Sequence, residues 1–410
     1  MKILDNYKGL PQSVYMLFGI QIINRLGDFV FPFLALFLTV KLGLSVSITG
    51  IVVMITSLSS LIASFVGGRL ADTRGRRKTY LMGQTVAAGL VLICGFIQNQ
   101  ATVVGLLIIA TFFVGVVRPT LSAVLTDVLP VEKRQAGIAL NHLGVNIGVA
   151  VGPLVAGFLF EKFLPLMFIT DAITSFVAVF IFYKFIPETN LIKQRPAITN
   201  QAEKAEPGTL WQTVLKRPEL LVFLIIYTGY CFIYRQGSFA LPLMLNTVFP
   251  LEGAAYFGAL ISVNALTVVC LSLITVAVTK RFHSLNNIIV GGIFYGIGFG
   301  MIGLITTFPM FILSTVLWSI GEILVVTNVG VYIANNSPEN FRARFSALGN
   351  LSSAIGGALG TSLMGVYITT AGVIAVWPLT LILAGIAVFS LYVLKAYSNK
   401  VKACRAVLSR

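Results

Sequence analysis

Long apolar runs alternate with short polar or turn-rich breaks along this chain. The breaks fall at 41–47, 68–78, 98–102, 130–135, 161–165, 187–216, 249–253, 280–287, 306–309, 335–344 and 369–371. Eleven breaks leave twelve apolar runs, and a helical bilayer crossing takes about 20 apolar residues, so the pattern predicts twelve transmembrane helices. The first run, from about Ser13 to Val40, is too long for a signal-peptide core and lacks a small-residue cleavage pattern. It is expected to stay in the mature protein. The longest polar stretch, 187–216, holds Pro187, Pro196 and Pro207 among mixed charges and reads as a cytoplasmic linker, with room for a short amphipathic helix at 210–215. It separates a bundle at 1–186 from a second at 217–410 that ends in a basic tail.

Composition removes the soluble alternatives. The 410 residues are 57% apolar and 10% charged with a mean hydropathy of +0.92, against roughly 25% charged residues in a soluble domain. The formal net charge of +15 would point to nucleic acid in a soluble protein, but position decides its meaning here. The even-numbered breaks carry Arg69, Arg74, Arg76, Arg77, Lys78, Lys133, Arg134, Lys193, Arg195, Lys204, Lys216, Lys280, Arg281, Arg342 and Arg344, whereas the odd-numbered breaks carry only Lys41 and Lys162. The positive-inside rule then places the even loops and both termini in the cytoplasm, and no nucleic-acid partner is needed to explain the charge. Cys94, Cys231, Cys270 and Cys404 show no paired spacing, and His142 and His283 are the only histidines. No disulfide framework, metal site or cofactor is expected. No G-x-x-x-x-G-K-[ST] loop occurs, so ATP-driven pumping is unsupported, and without clustered Cys or His ligands a metal-dependent membrane enzyme is not expected either.

The halves resemble each other. A shift of 210 aligns Arg25, Gly27, Phe29 and Pro32 with Arg235, Gly237, Phe239 and Pro242, and a shift of 208 aligns Pro130, Arg134, Gly148, Gly152 and Gly157 with Pro338, Arg342, Gly356, Gly360 and Gly365. A duplicated six-helix unit explains both offsets, and parallel repeats of this kind place a substrate site near the bilayer midplane.

The second break reads Gly68-Arg69-Leu70-Ala71-Asp72-Thr73-Arg74-Gly75-Arg76-Arg77-Lys78. The positive-inside rule accounts for its charge but not for its Gly-Asp-Gly framework. The stretch resembles the G-x-L-a-D-r-x-G-r-k signature of the major facilitator superfamily, and with the helix count and the repeat that resemblance extends over the whole chain. It implies an all-α integral membrane fold of two pseudo-symmetric six-helix bundles. It also implies a monomeric secondary transporter, working by alternating access on a small-molecule substrate in a bacterial plasma membrane. Asp127 matches the acid that engages the signature's arginine in relatives, which makes Gly68, Asp72, Arg74, Gly75, Arg76 and Asp127 a candidate conformational latch. The plainer reading is that Asp127 neutralises Lys133 and Arg134. In the second half Asn335 stands at the equivalent position and 279–283 lacks most of the signature, so the latch is expected in one half only.

Gly148-Val149-Ala150-Val151-Gly152-Pro153-Leu154-Val155-Ala156-Gly157 resembles the g-x-x-x-G-P-x-x-G-G motif of the drug:proton antiporter branch, with Ala156 where two glycines are preferred. Glycines at this spacing pack helices in many membrane proteins; the Gly152-Pro153 pair favours export. Arg118 occupies the arginine position of that branch's l-x-x-x-R-x-x-q-G motif, without the Gln-Gly that follows.

Six ionisable residues fall well inside predicted crossings: Arg25, Asp28, Arg118, Asp171, Arg235 and Glu322. Each would cost about 2.5–3.5 kcal/mol facing lipid at mid-bilayer, so they should face protein or a water-filled cavity. All but Asp171 lie on the first, fourth, seventh and tenth helices, which line the cavity in the fold this sequence resembles; Asp171 reads as structural. Arg25, Arg118, Arg235, Tyr234 and Trp318 are therefore the expected substrate-cavity residues. Glu322, 13 residues after Pro309 and so roughly 20 Å along its helix, is the leading proton-coupling candidate, with Asp28 second. The alternative for Glu322 is a permanent ion pair with an arginine. Three functions stay open: a proton-coupled exporter of small amphipathic molecules or drugs, a proton-coupled importer of a metabolite, and a non-transporting receptor or scaffold.

Overall fold

The computed structural model describes residues 9–130, 133–189, 217–279, 281–337 and 342–408. Every regular element among them is helical. The linker expected at 187–216 lies outside the described residues from 190 to 216, together with the amphipathic helix expected at 210–215. The long helices are α1 (Gln12–Leu26), α2 (Val46–Arg74), α3 (Arg76–Cys94), α4 (Gln100–Val128), α5 (Arg134–Lys162), α6 (Leu164–Phe185), α7 (Pro218–Val248), α8 (Gly253–Thr279), α9 (Ser284–Met301), α10 (Phe308–Asn336), α11 (Arg342–Ala371) and α12 (Val376–Leu408).

Among the described residues, ten helices are long and apolar enough to cross a membrane. The two that fall short are α1, which is cut at Leu26, and α3, which opens on Arg76-Arg77-Lys78. Helix starts follow local chemistry. Ser45 Oγ accepts the Ile48 amide at the head of α2, Asn99 Oδ1 accepts the Thr102 amide at the head of α4, and α6 and α10 carry Pro165 and Pro309 in their first turns, where a missing N–H is harmless.

The chain divides into two compact units. One comprises Met1–Ile198 with Leu245–Leu266, and the other comprises Thr199–Met244 with Thr267–Arg410. The end of α7 and the first half of α8 thus belong to the first unit, a partition that a boundary placed in the linker does not anticipate. Inside the first unit Val14, Leu17 and Ile20 of α1, Tyr80 of α3, Val124 and Leu125 of α4 and Phe182 of α6 form one buried cluster, with Tyr80 stacked on Phe182 at 3.9 Å. Large apolar side chains are also fully outward, such as Phe65 at 74% and Phe389 at 67% exposure, as a lipid-facing surface requires.

The repeated Arg-x-Gly-x-Phe-x-x-Pro pattern has two different structures. In the second unit α7 runs unbroken through Arg235, Gly237, Phe239 and Pro242. In the first, α1 stops at Leu26, and helix resumes only at Leu34–Leu36, continuing as a π-helix over Phe37–Lys41. A break inside an apolar segment leaves backbone N–H groups that apolar surroundings cannot satisfy. Asp171 of α6, 6% exposed, supplies the acceptor: its Oδ2 takes the amides of Phe29 at 3.1 Å and Val30 at 3.2 Å. No acidic residue occurs in α12, so that helix offers no carboxylate for a matching break. Asp171→Ala leaves two buried amides without an acceptor and should cost about 2–6 kcal/mol, at about 1–3 kcal/mol each. Asp171→Asn, whose carbonyl oxygen can take the place of Oδ2 and accept both amides, should cost less than the Ala variant. Thermal unfolding together with amide exchange over residues 27–33 checks this, and unchanged exchange in the Ala variant would show that the break is held by something else.

Candidate functional site

Where α1 breaks, the first unit contains a cavity of about 290 Å³. Arg25 and Asp28 of the break, Arg118 of α4 and Asp171 of α6 line it, with Gln21, Asn24, Gln84 and Ser175 supplying uncharged polar atoms. Arg25 Nη1 pairs with Asp28 Oδ2 at 3.0 Å. Gln84 Nε2 donates to Ser175 Oγ at 3.1 Å and to Asn24 Oδ1 at 3.4 Å, and Asn24 Nδ2 donates to the Tyr80 hydroxyl at 3.4 Å, so the uncharged wall is one continuous network over α1, α3 and α6. Asp171, expected to lie apart from the cavity helices, lines this cavity while it clamps the break. A charge count limited to α1, α4, α7 and α10 leaves it out.

The second unit has its own cavity of about 220 Å³, lined by Tyr227, Tyr230, Cys231, Tyr234 and Arg235 of α7, Tyr295 of α9, Val325 and Val326 of α10 and Ser353 and Gly357 of α11. Four tyrosines make its wall aromatic with polar tips. The Tyr234 hydroxyl donates to Glu322 Oε1 at 2.8 Å, which places the α10 carboxylate beside this wall. Trp318 is not a lining residue. It is 6% exposed, stacked on Phe299 at 5.4 Å and edge-on to Tyr234 at 6.1 Å, so it backs the wall instead of facing the cavity. Its position one helical turn before Glu322 put it on the right face but too deep to reach open space.

The α2–α3 turn is a separate cluster. Only Gly75 lies between the two helices, and its φ of +99° is a conformation L side chains rarely adopt; a Cβ there would also stand 2.5 Å from Glu188 Oε2. Glu188, just past the end of α6, accepts the Arg76 amide on Oε1 at 2.8 Å and the Arg77 amide on Oε2 at 3.1 Å, satisfying the first donors of α3. The Arg76 side chain is buried, ion-paired with Asp127 of α4, and bonded to the Ala123 carbonyl at 2.8 Å. Burial lowers the Arg76 pKa from its ordinary value, and the Asp72 and Glu188 carboxylates oppose that shift. Asp72 stands 3.8 Å from Arg76 with its own side chain 58% exposed, and Arg74 is exposed outside the cluster. Of the two basic residues of the plainer reading, Lys133 bonds the Gly9 carbonyl at 2.6 Å, and the side chain of Arg134 lies outside the described residues. Of the signature glycines, Gly68 carries no close approach within the unit. The neighbouring Gly67 does, with its Cβ position 2.6 Å from Val116 Cα.

The α5 motif is a packing seat. A Cβ on Gly148 or Gly152 would press on the backbone of Leu26, where α1 ends, and one on Gly157 would lie 2.6 Å from the Ala254 carbonyl at the start of α8. Glu161 Oε1 accepts the Ala255 amide at 3.1 Å, adding an anchor at the head of α8. The Gly–Pro stretch thus fixes the broken end of α1 on one side and α8 on the other.

Comparison with known proteins agrees with this architecture. The family model for the Major Facilitator Superfamily matches residues 17–361. The uncharacterized MFS-type transporter YttB of Bacillus subtilis (strain 168) is 24% identical over 405 residues, covering 97% of this chain and 98% of that protein. A Na(+), Li(+), K(+)/H(+) antiporter of Planococcus maritimus is 23% identical over 357 residues, 80% of this chain and 82% of that one. Among solved structures, a POT family transporter in complex with a thioalcohol-conjugated peptide superposes with a TM-score of 0.77 over 96% of this chain and 97% of that one, at 15% identity.

The α2–α3 cluster generates an ordered set of expected losses. Asp127→Asn leaves a buried guanidinium without its partner and should destabilise the protein by about 3–5 kcal/mol. Glu188→Ala removes a helix cap and should cost about 1–2 kcal/mol, and Asp72→Asn, at an exposed pair, about 0–1 kcal/mol. Thermal melts of the three variants measure the order; an Asp72 variant weaker than the Asp127 variant would relocate the cluster's anchor.

Proposed function

Because the chain belongs to the major facilitator superfamily, we propose that this secondary transporter is a proton-coupled exporter of small amphipathic molecules, with Glu322 carrying the coupling proton and Asp28 second in line. The observation that carries the reading is the Tyr234–Glu322 hydrogen bond at the tyrosine-lined cavity. A carboxylate there can exchange a proton, whereas arginine stays charged. Asp28 is less suited because Arg25 holds it in an ion pair. Export rests on the resemblance of the Gly148–Gly157 stretch to the antiporter motif. The antiporter name of one relative supports antiport as the mode. Twelve crossings with both termini cytoplasmic follow from the break pattern and the distribution of Lys and Arg. In that orientation the α2–α3 turn is a cytoplasmic latch, and Arg76–Asp127 is the bond that alternation between inward- and outward-facing states must make and break.

Glu322→Gln should abolish uphill, pH-driven transport in proteoliposomes while substrate binding and downhill exchange persist. Undiminished substrate-linked proton movement in that variant would remove Glu322 from the role, and loss of it in Asp28→Asn alone would move the role to α1. The sign of substrate movement under an imposed inward proton gradient separates export from import.

For the latch, Asp72→Asn should shift the conformational populations without impairing insertion. Distances between spin labels at the cytoplasmic helix ends read those populations, and an unchanged distribution would remove Asp72 from the latch.

A further inference from the structure

Around the cavity of the first unit, three of the four charged side chains have protein partners. Asp28 is paired with Arg25, and Asp171 Oδ2 is taken up by the Phe29 and Val30 amides. Arg118 has no hydrogen bond or ion pair with any described residue, although it lines the same space and is exposed to it. The charges acting on it are Arg25, which repels it, and Asp28, which attracts it but already holds Arg25. A cation within a membrane-spanning helix is costly without a partner or a wet cavity, so such a group is a functional candidate. Its planar fork of donors matches a carboxylate in two parallel bonds, a geometry an ammonium cannot supply.

We infer that Arg118 binds the carboxylate of a small organic acid, which names the substrate class for the transport reading above and rests on it. The acids lining the cavity are engaged, so a substrate cation finds no open counter-charge there, while a substrate anion finds one. The volume, about 290 Å³, stands at the low end of the roughly 300–1,000 Å³ typical of ligand pockets and so selects a small solute. Asn24, Gln84 and Ser175, already joined by hydrogen bonds, present amide and hydroxyl groups to the rest of a polar ligand. Phe31 gives the same cavity an apolar edge for its carbon skeleton.

The test uses the full chain in lipid nanodiscs, with hexanoate and benzoate, their neutral amides, and benzylamine as probes of ligand-dependent thermal stabilisation. At least one acid should bind about 10–100-fold more tightly than its amide, the range expected for a charge-assisted bidentate contact. Arg118→Gln should erase that preference, and Arg118→Lys should keep part of it. The ligand-free Gln variant should melt no lower than the parent, since it removes a cation that has no partner. Equal binding of acid and amide, tighter binding of benzylamine, no stabilisation by any probe, or an acid preference that survives Arg118→Gln would each overturn the assignment; if the Gln variant fails to fold, the Lys variant decides it. The binding assay needs no proton gradient. Acid binding through Arg118 without coupled proton flux would therefore sink the proton-coupled reading alone, and proton flux driven by amines alone would sink this one alone.

Discussion

Two backbone amides that lipid cannot satisfy, those of Phe29 and Val30, are bonded to a single buried carboxylate, and much of the first unit depends on that bond. In α7 the same Arg-x-Gly-x-Phe-x-x-Pro pattern continues as helix, and the first unit differs by the Asp171 carboxylate at the break. With it, α1 ends at Leu26, the Arg25–Asp28 pair turns into open space, and a cavity forms at the break. The seat on α5 then has a defined job. Gly148 and Gly152 admit the terminating backbone of α1, which a side chain at either position would displace. Broken helices at membrane depth recur where transporters bind solutes, because freed backbone and side-chain groups there face a cavity instead of lipid.

The two halves, alike in sequence, have diverged in what their cavities offer. The first is polar and charged, with two arginines, two acids and a connected amide–hydroxyl wall. The second is built of tyrosines around Arg235, with Glu322 reached through a phenol. Divergence also appears at the inter-helix turns. The α2–α3 turn keeps its glycine at positive φ, its buried arginine and the Asp127 partner, whereas the other half has Asn335 where Asp127 would be. A duplicated scaffold that keeps its packing glycines while exchanging its charges can assign different tasks to each half.

The α2–α3 cluster shows how burial ranks residues that a motif treats alike. Arg74, Arg76 and Arg77 are near neighbours in one basic run. Only Arg76 is enclosed, and it alone meets a carboxylate with little solvent access; Arg77 instead lies over the Tyr183 ring at 4.8 Å. Exposed pairs contribute little because water screens them, so the energetic centre is Arg76–Asp127 with Glu188 fixing the start of α3.

Quantities that repeat along the chain were legible in the sequence alone: the succession of apolar runs, the bias of Lys and Arg to alternate breaks, the duplicated spacing, the signature turn and the presence of ionisable groups inside crossings. Each reflects a constraint acting on every crossing or every loop, so it leaves a periodic trace. The pairing of those groups was decided only by the tertiary structure. Asp171 lies 142 residues from the Phe29 amide it holds, and Glu188 lies 112 from the Arg76 amide it caps. Trp318, on the correct helix face, sits a layer too deep to line the cavity. Contacts of that range depend on how helices rotate and stack, and no local period records them, because each joins one side chain to one distant backbone position.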